Sequence, residues 1–91
     1  DVGFLWDEEK YARVRREHGV TFHEAIAALE DGNGYEAPDP QGHPDRWLYV
    51  GKTEAGRVLI VVYSDEELPV YRLITAYDAQ GVGLDGYRRR V

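Results

Sequence analysis

The sequence predicts an α+β domain with an N-terminal strand, two helices and then a three-stranded antiparallel meander, the helices packed on one face of the sheet. Two helical segments occupy the first third of the chain, and three β-rich segments joined by short connections come later. Short connections predict antiparallel pairing, because a parallel crossover needs a dozen or more residues. At 91 residues, we expect a single domain over residues 1–91.

The first predicted elements are a short strand over residues 3–6 and a helix after it. Asp7 suits the helix N-cap, and acidic residues in the first turn complement the helix dipole. Gly19 is placed to end this helix in the left-handed conformation. One helical face carries residues spaced i, i+3 and i+7, namely Tyr11, Val14 and His18.

The second predicted helix begins with a capping box formed by Thr21 and Glu24. Its apolar residues follow the i, i+3, i+4, i+7 spacing of an amphipathic helix, and it should end near Asp31-Gly32. The following stretch, residues 32–44, is rich in Gly, Pro, Asn and Asp. It predicts a loop, with at most a short extended piece near Tyr35.

Three strands are predicted in the second half, over Arg46–Lys52, Arg57–Tyr63 and Val70–Tyr77. Glycine in residues 53–56 suits the first turn, and residues 64–69 predict an acidic second turn. The middle strand is continuously apolar, which predicts a central strand covered on both faces. Residues 78–86 should be loose, because three glycines limit any helix, and residues 87–91 read as a basic tail.

The net charge of −6 is unevenly distributed. Residues 17–45 hold seven acidic residues and no Lys or Arg, whereas basic residues cluster at 10–16 and 88–90. Overall charge governs solubility and steering, but a phosphate site needs only a local positive potential. The acidity therefore disfavours nucleic-acid binding without excluding it.

The chain has no cysteine, which excludes disulfides and thiolate chemistry and fits a reducing compartment. The longest apolar run is the six residues Val58–Tyr63, whereas a membrane helix needs about 20. No basic-then-apolar leader opens the sequence. We therefore expect a cytoplasmic protein with no membrane contact.

Two motifs carry a resemblance to a known family: F-L-W-D-E-E-K at Phe4–Lys10, and H-G-V-T-F-H-E-A at His18–Ala25. They resemble the BrnT family of ribonuclease toxins from type II toxin–antitoxin pairs, whose pattern is close to F-x-W-D-x-x-K and K-H-G-V-S-F-x-E-A. Arg46, Gly51, the strand G-R-V-L-I-V-V-Y and the segment R-L-I-T-A (family R-I-I-S-A) agree in order and spacing, so the resemblance covers residues 4–77.

The resemblance implies a RelE-like fold and RNA cleavage without a metal or other cofactor. It also implies a separately encoded antitoxin with a ribbon-helix-helix domain, through which DNA would be contacted only indirectly. The sequence departs from the family at three places. Glu17 stands where Lys is common, Tyr77 stands where Arg is usual, and the C-terminal A-x-x-x-E-R-x-x-Y pattern is degraded.

Metal-free RNA cleavage needs a base for the 2′-hydroxyl, an acid for the 5′-oxygen and cations for the developing phosphorane charge. His18 matches the family, and an imidazole of unperturbed pKa about 6.5 suits proton transfer. Lys10, Arg46 and Arg72 are the candidate phosphate contacts, and Tyr77 is a substitute acid or hydrogen-bond donor.

Each candidate also has a structural interpretation. His18 could cap the first helix, and Lys10 and Arg46 could be solvated surface charges. Arg72 lies in an apolar strand, so Asp7 or another acid could hold it in an ion pair.

Other residues are equally open. Trp6 and Trp47 could stack on bases or belong to the core, and the arginines at 88–90 could contact RNA or lie in a solvated tail. His18 and His23 are five residues apart, which does not suit a helical metal pair, so no metal site is expected. A second interpretation of the whole chain is a catalytically weak or inactive BrnT-like interaction module. Its acidic segment or exposed sheet edge would then meet a partner.

Overall fold

The computed structural model describes residues 3–90, which form three helices and one five-stranded mixed sheet. In chain order the elements are β1 (Gly3–Trp6), α1 (Glu8–His18), α2 (Phe22–Leu29), β2 (Tyr35–Pro38), β3 (Arg46–Lys52), β4 (Val58–Glu67), β5 (Val70–Asp78) and α3 (Gly81–Arg90). The strand order is β1-β5-β4-β3-β2, with β1 and β5 parallel and the other pairs antiparallel. The predicted α+β class is confirmed.

The ends of α1 and α2 follow their local signals. Asp7 is the N-cap residue of α1, although its side chain makes no capping hydrogen bond. Gly19 adopts φ 63°, and its N–H donates to the carbonyl of Arg15 at 3.0 Å. Thr21 and Glu24 form the predicted reciprocal capping box, and α2 ends at Leu29, slightly earlier than expected.

The main core lies between α1, α2 and one face of the sheet. The two helices and the junction between them contribute small and branched residues, and the strands supply the opposing layer: Val14, Val20, Ala25 and Ala28 against Leu59, Val61, Leu73 and Ala76. Gly51 allows β3 to lie directly against the main chain of α2, because a Cβ at this position would overlap the backbone carbonyl of Ala28. Sheet and helices can therefore pack together only if this position carries no side chain.

The third helix corrects the predicted loose segment and basic tail. Residues 81–90 are helical, and α3 packs on the sheet face opposite α1 and α2, so the helices do not all lie on one face. The glycines that argued against a helix lie at its contact with the sheet. A Cβ at Gly86 would collide with the Tyr35 hydroxyl, and one at Gly83 would press on Ile60. Tertiary packing thus overrides weak helix propensity.

Two further sequence predictions need correction. The stretch predicted as a loop contains β2, which pairs with β3 through Tyr35↔Val50 and the following residues. Residues 64–67, predicted as part of an acidic turn, continue β4, and the turn itself is Leu68–Pro69. Val91, the last residue of the predicted tail, lies outside the described residues. Within residues 3–90, no helix has the length and apolar character that crossing a membrane requires.

Candidate functional site

One face of the sheet, opposite α1 and α2, is covered by α3 at one end only, and we call it the open face. Arg46, Ser64 and Arg72 lie side by side on it, since Arg46 pairs with Ser64 and Ser64 pairs with Arg72. Directly paired residues point to the same side of a sheet. The two arginines are two strand spacings apart, about 10 Å between their Cα atoms.

A bulge in β5 adds Tyr77 to this face. Arg72 and Tyr77 are five positions apart, and in a regular strand that odd separation would place them on opposite faces. The register with β4 shifts between Leu73 and Thr75, so Ile74 is an extra residue. The shift restores the alternation and puts both Arg72 and Tyr77 on the open face.

His18 and Tyr77 are in contact at the edge of the open face. Their ring centroids lie 5.9 Å apart with the planes tilted by 51°. Together with Ile60, Asp78 and Gln80, they line an open cavity of about 330 Å³. The imidazole is exposed at the last residue of α1, so a ligand on the open face can reach both rings.

Arg57, which the sequence analysis treated only as the start of a strand, holds the end of α1 beside β5. Its guanidinium donates to the carbonyl oxygens of His18 at 2.7 Å and Gly19 at 2.9 Å. It also donates to both carboxylate oxygens of Asp78, at 2.6 and 2.9 Å, and to Glu24 at 3.4 Å. An arginine beginning an otherwise apolar strand was the available signal, because such a charge needs partners.

The electrostatic consequences agree with this geometry. The hydrogen bonds from Arg57 hold the pKa of the Asp78 carboxyl below its ordinary value. The pKa of Glu24 is lowered mainly by the backbone N–H of Thr21, with a smaller effect from Arg57. Both carboxylates therefore stay ionised and keep the end of α1 in place.

Arg72 is held in an ion pair, as its structural interpretation required. Its partner is Glu67, not Asp7, with Nε donating at 2.6 Å and Nη2 at 3.2 Å. These hydrogen bonds lower the pKa of Glu67. The Arg72 side chain is 33% exposed, so the guanidinium is paired but remains accessible from the open face.

Arg46 and Lys10 differ in their surroundings. Arg46 is half-buried, and the neighbouring Ser64 hydroxyl donates to Asp45 at 2.8 Å. That hydrogen bond, and to a lesser extent the charge of Arg46, lowers the pKa of Asp45. Lys10 is exposed on α1 and lines a cleft of about 180 Å³ beside Ile74 of the bulge. Of the predicted site residues, His18 and Tyr77 are therefore in contact, and Arg46 and Arg72 flank Ser64. Lys10 lies apart from both pairs, beside the β5 bulge.

The remaining candidates have mainly structural contacts. Trp6 is buried against Tyr11 and Phe22, and Trp47 donates from its indole N–H to Asp65 at 3.0 Å. Arg90 donates to the carbonyl of Asn33 at 3.1 Å and lies over the Tyr35 ring, whereas Arg88 and Arg89 are exposed in the last turn of α3. Across residues 3–90, His, Asp and Glu side chains form no group of three or more that could hold a metal ion.

A larger cavity, about 550 Å³, lies between α2, β3 and α3 and contains none of the predicted site residues. Its lining includes the carboxylates of Glu30, Asp31 and Glu54. Asp31 accepts hydrogen bonds from the Tyr87 hydroxyl at 2.5 Å and the Lys52 amide at 2.8 Å, so its contacts join α2, β3 and α3. This acidic surface does not suit a phosphate backbone.

Comparisons with known proteins agree with the fold. A family model described as the ribonuclease toxin BrnT of type II toxin–antitoxin systems matches residues 6–81. The chain is also similar to the Brucella abortus ribonuclease toxin BrnT, solved by crystallography at 1.1 Å resolution. That match has a TM-score of 0.71 and 18% identity, and it covers 89% of this chain and 100% of the Brucella chain. No curated protein matches the sequence.

Proposed function

Because this chain belongs to the BrnT family of ribonuclease toxins from type II toxin–antitoxin systems, we propose that it cleaves RNA without a metal, by attack of a 2′-hydroxyl on the adjacent phosphate. The observation that supports this most directly is the contact between His18 and Tyr77 at the edge of the open face. The two side chains supply the two proton-transfer groups that such a cleavage needs.

In the proposed reaction, the His18 imidazole acts as the base that takes the proton of the 2′-hydroxyl. The new oxygen–phosphorus bond closes a 2′,3′-cyclic phosphate as the bond to the 5′-oxygen breaks. Tyr77 donates its hydroxyl proton to that leaving oxygen, which becomes the 5′-hydroxyl of the second product. Tyr77 stands at a position where the family usually has Arg, so its hydroxyl replaces a cationic donor in this chain.

Arg46, Arg72 and Lys10 bind the RNA backbone in this proposal. Arg72 and Tyr77 are five strand positions apart, about 15 Å between their Cα atoms, which is too far for both to act on one phosphate. The two arginines therefore bind phosphates further along the substrate. Lys10 adds a positive charge beside the β5 bulge. Their loss should raise KM and reduce the salt dependence of binding more than it lowers kcat.

The test measures cleavage of an RNA oligonucleotide by the purified chain with a chelator present. His18→Ala should lower kcat by about 10²–10⁴-fold, the usual contribution of a general base, and Tyr77→Phe should also lower it. Products should carry 2′,3′-cyclic phosphate and 5′-hydroxyl ends, and a 2′-deoxy substitution at the cleaved nucleotide should abolish the reaction.

His23→Ala is the matched control, since His23 is an exposed histidine on α2 that does not line the cavity of His18 and Tyr77. The proposal fails if His18→Ala cuts at the wild-type rate or if cleavage needs an added divalent cation. The bidentate pairing of Arg72 with Glu67 favours the second candidate, an inactive interaction module, because it partly neutralises the cation. Intact RNA after incubation with a folded chain would support that candidate.

We further propose that the antitoxin implied by the family carries a ribbon-helix-helix domain, so that DNA is reached only through it, and that the pair acts in the cytoplasm. The test is to co-express the chain with the protein encoded beside it. Growth arrest by the toxin alone, relieved by the neighbour, is the expected result. A neighbour that relieves toxicity but lacks a ribbon-helix-helix domain would contradict the proposed antitoxin type.

A further inference from the structure

An aromatic cleft lies on the helix-side face of the sheet, on the opposite side from the open face. Its volume is about 170 Å³, and all five strands contribute to it, together with the end of α2: Phe4, Leu29, Glu36, Tyr49, Tyr63 and Tyr71. Tyr71 precedes Arg72 on β5, and successive residues of a strand point to opposite faces. A ligand in the aromatic cleft is therefore separated from the proposed RNA site by the thickness of the sheet.

The aromatic rings of the cleft contact one another in stacked and in edge-to-face geometry. Phe4 and Tyr71 stack with centroids 5.9 Å apart, and Tyr63 meets Tyr71 edge-on at 5.3 Å. Two hydroxyls already have acceptors, since Tyr63 donates to the Glu36 carboxylate and Tyr49 donates to the carbonyl of Asp31. What the cleft offers a ligand is therefore mainly aromatic π surface, since among residues 3–90 only the Tyr71 hydroxyl of its three tyrosines makes no hydrogen bond.

The charge at the cleft is negative. Glu36 is exposed and is the one charged residue among the six that line the cleft. Burial and the hydrogen bond to Glu36 raise the pKa of Tyr63, so the Tyr63 hydroxyl keeps its proton. Trp47 extends the aromatic surface, because it pairs with Tyr63, and its indole N–H is bonded to a second carboxylate, Asp65.

We propose that the aromatic cleft binds an arginine or lysine side chain of the antitoxin, with the cation against the rings and paired with Glu36. Aromatic faces attract cations through the ring quadrupole, and a carboxylate beside them adds charge complementarity. The same carboxylate would repel a phosphate, which disfavours RNA as the occupant. The inference rests on the antitoxin partner that the family implies, and it does not depend on the cleavage mechanism.

The cation preference is tested with a peptide probe, acetyl-Gly-Arg-Gly-amide, titrated into the ¹⁵N-labelled full chain. The matched probe replaces arginine by citrulline, which has nearly the same shape and no charge. Chemical-shift changes should be confined to residues of the aromatic cleft and be absent with citrulline. Equal binding of the two peptides, shifts at another surface, or no binding of the arginine peptide would overturn the proposal.

Single substitutions distinguish the contribution of the Glu36 charge from that of the aromatic rings to arginine binding. Glu36→Gln and Tyr71→Leu should each weaken arginine-peptide binding by at least 5-fold, whereas Tyr71→Phe, which keeps the ring, should bind like the wild type. Glu66→Gln is the control, because Glu66 is an exposed acid on β4 that does not line the cleft. Wild-type affinity of Glu36→Gln would contradict the proposed ion pair.

The partner is tested with the purified protein encoded beside the toxin. Glu36→Gln should weaken its binding by at least tenfold while leaving RNA cleavage unchanged, since Glu36 lies on β2, three strands from the β5 strand of Tyr77, and does not line the cavity of His18 and Tyr77. Unaltered antitoxin affinity would overturn the inference. If the wild-type chain does not cleave RNA, or if His18→Ala cleaves it normally, only the proposed reaction fails. Failure of the cleft proposal is therefore distinguishable from failure of the proposed reaction.

Discussion

The Nη2 group of Arg57 donates a hydrogen bond of 2.7 Å to the main-chain carbonyl oxygen of His18. The same guanidinium binds Asp78, the residue after Tyr77, at 2.6 and 2.9 Å. One side chain therefore fixes both backbones that carry the paired rings. It neutralises the carbonyl end of α1 and the carboxylate of β5 together. We infer that Arg57 is a positioning residue for His18 and Tyr77.

Replacing Arg57 should affect both stability and turnover. Arg57→Gln should lower the free energy of unfolding by about 1–3 kcal/mol, since several charge-assisted hydrogen bonds are lost. It should also lower kcat more than KM, because the proton-transfer groups are displaced while the phosphate contacts remain. Arg57→Lys should recover part of kcat. Denaturant unfolding and steady-state cleavage measure the two effects, and a destabilised variant with wild-type kcat would show that Arg57 is purely structural.

Stability should fall in acid because of the carboxylate that Arg57 binds. The pKa of Asp78 is lower in the folded chain than its ordinary value of 3.8, so over this range the unfolded state binds more protons. The stabilisation is present above about pH 5 and is lost as the pH falls through the folded-state pKa. Asp78→Asn should flatten the pH dependence of unfolding between pH 5 and 2. An unchanged slope would contradict the assignment to Asp78.

Glu67→Gln should increase the affinity for RNA. Glu67 occupies the Nε/Nη2 edge of the Arg72 guanidinium, and its removal frees that edge to bind phosphate. We expect KM to fall several-fold and the salt dependence of binding to become steeper by roughly one phosphate contact. Glu66→Gln removes the same charge from the adjacent position and serves as the control. Equal effects of the two variants would indicate a general charge effect and not release of Arg72.

Gly51→Ala should destabilise the fold more than any neighbouring glycine change. The added Cβ would overlap the main chain of Ala28, which cannot move without shifting α2 off the sheet. A loss of about 1–3 kcal/mol is expected for such overpacking. Gly32→Ala is the control, since no atom lies within 4 Å of its Cβ position. Thermal unfolding compares the two, and similar melting temperatures would contradict the close approach.

The attachment of α3 should weaken in alkali. Burial and the hydrogen bond to Asp31 raise the pKa of Tyr87 to about 12, above its ordinary value of 10.0. The folded state therefore retains the proton longer, and this stabilisation is complete below pH 10 and lost as the pH rises toward 12. Tyr87→Phe should cost about 1–2 kcal/mol at neutral pH and remove most of the alkaline effect. Denaturant and alkaline unfolding, each followed by circular dichroism, measure the loss of stability and the loss of the alkaline effect.

Several elements follow from the sequence because their signals are local. The bounds of β1 and β3 agree with the predicted residues, and the left-handed Gly19 and the capping box of Thr21 and Glu24 fix the junction of α1 and α2. Such signals involve residues within a few positions of each other, so one sequence contains all the partners. The family resemblance, based on the same segments, is likewise confirmed by the matching family model.

Only the tertiary structure determined the parts that depend on distant residues. The helix α3 forms despite its glycines because Tyr35, Ile60 and Asp31 pack against it from other elements. The contact of His18 with Tyr77 needs a bulge 56 residues after α1 and Arg57 from the connection between β3 and β4. Local propensity contains no information on these encounters, because their energies come from burial and hydrogen bonds between segments that meet only when the sheet has formed.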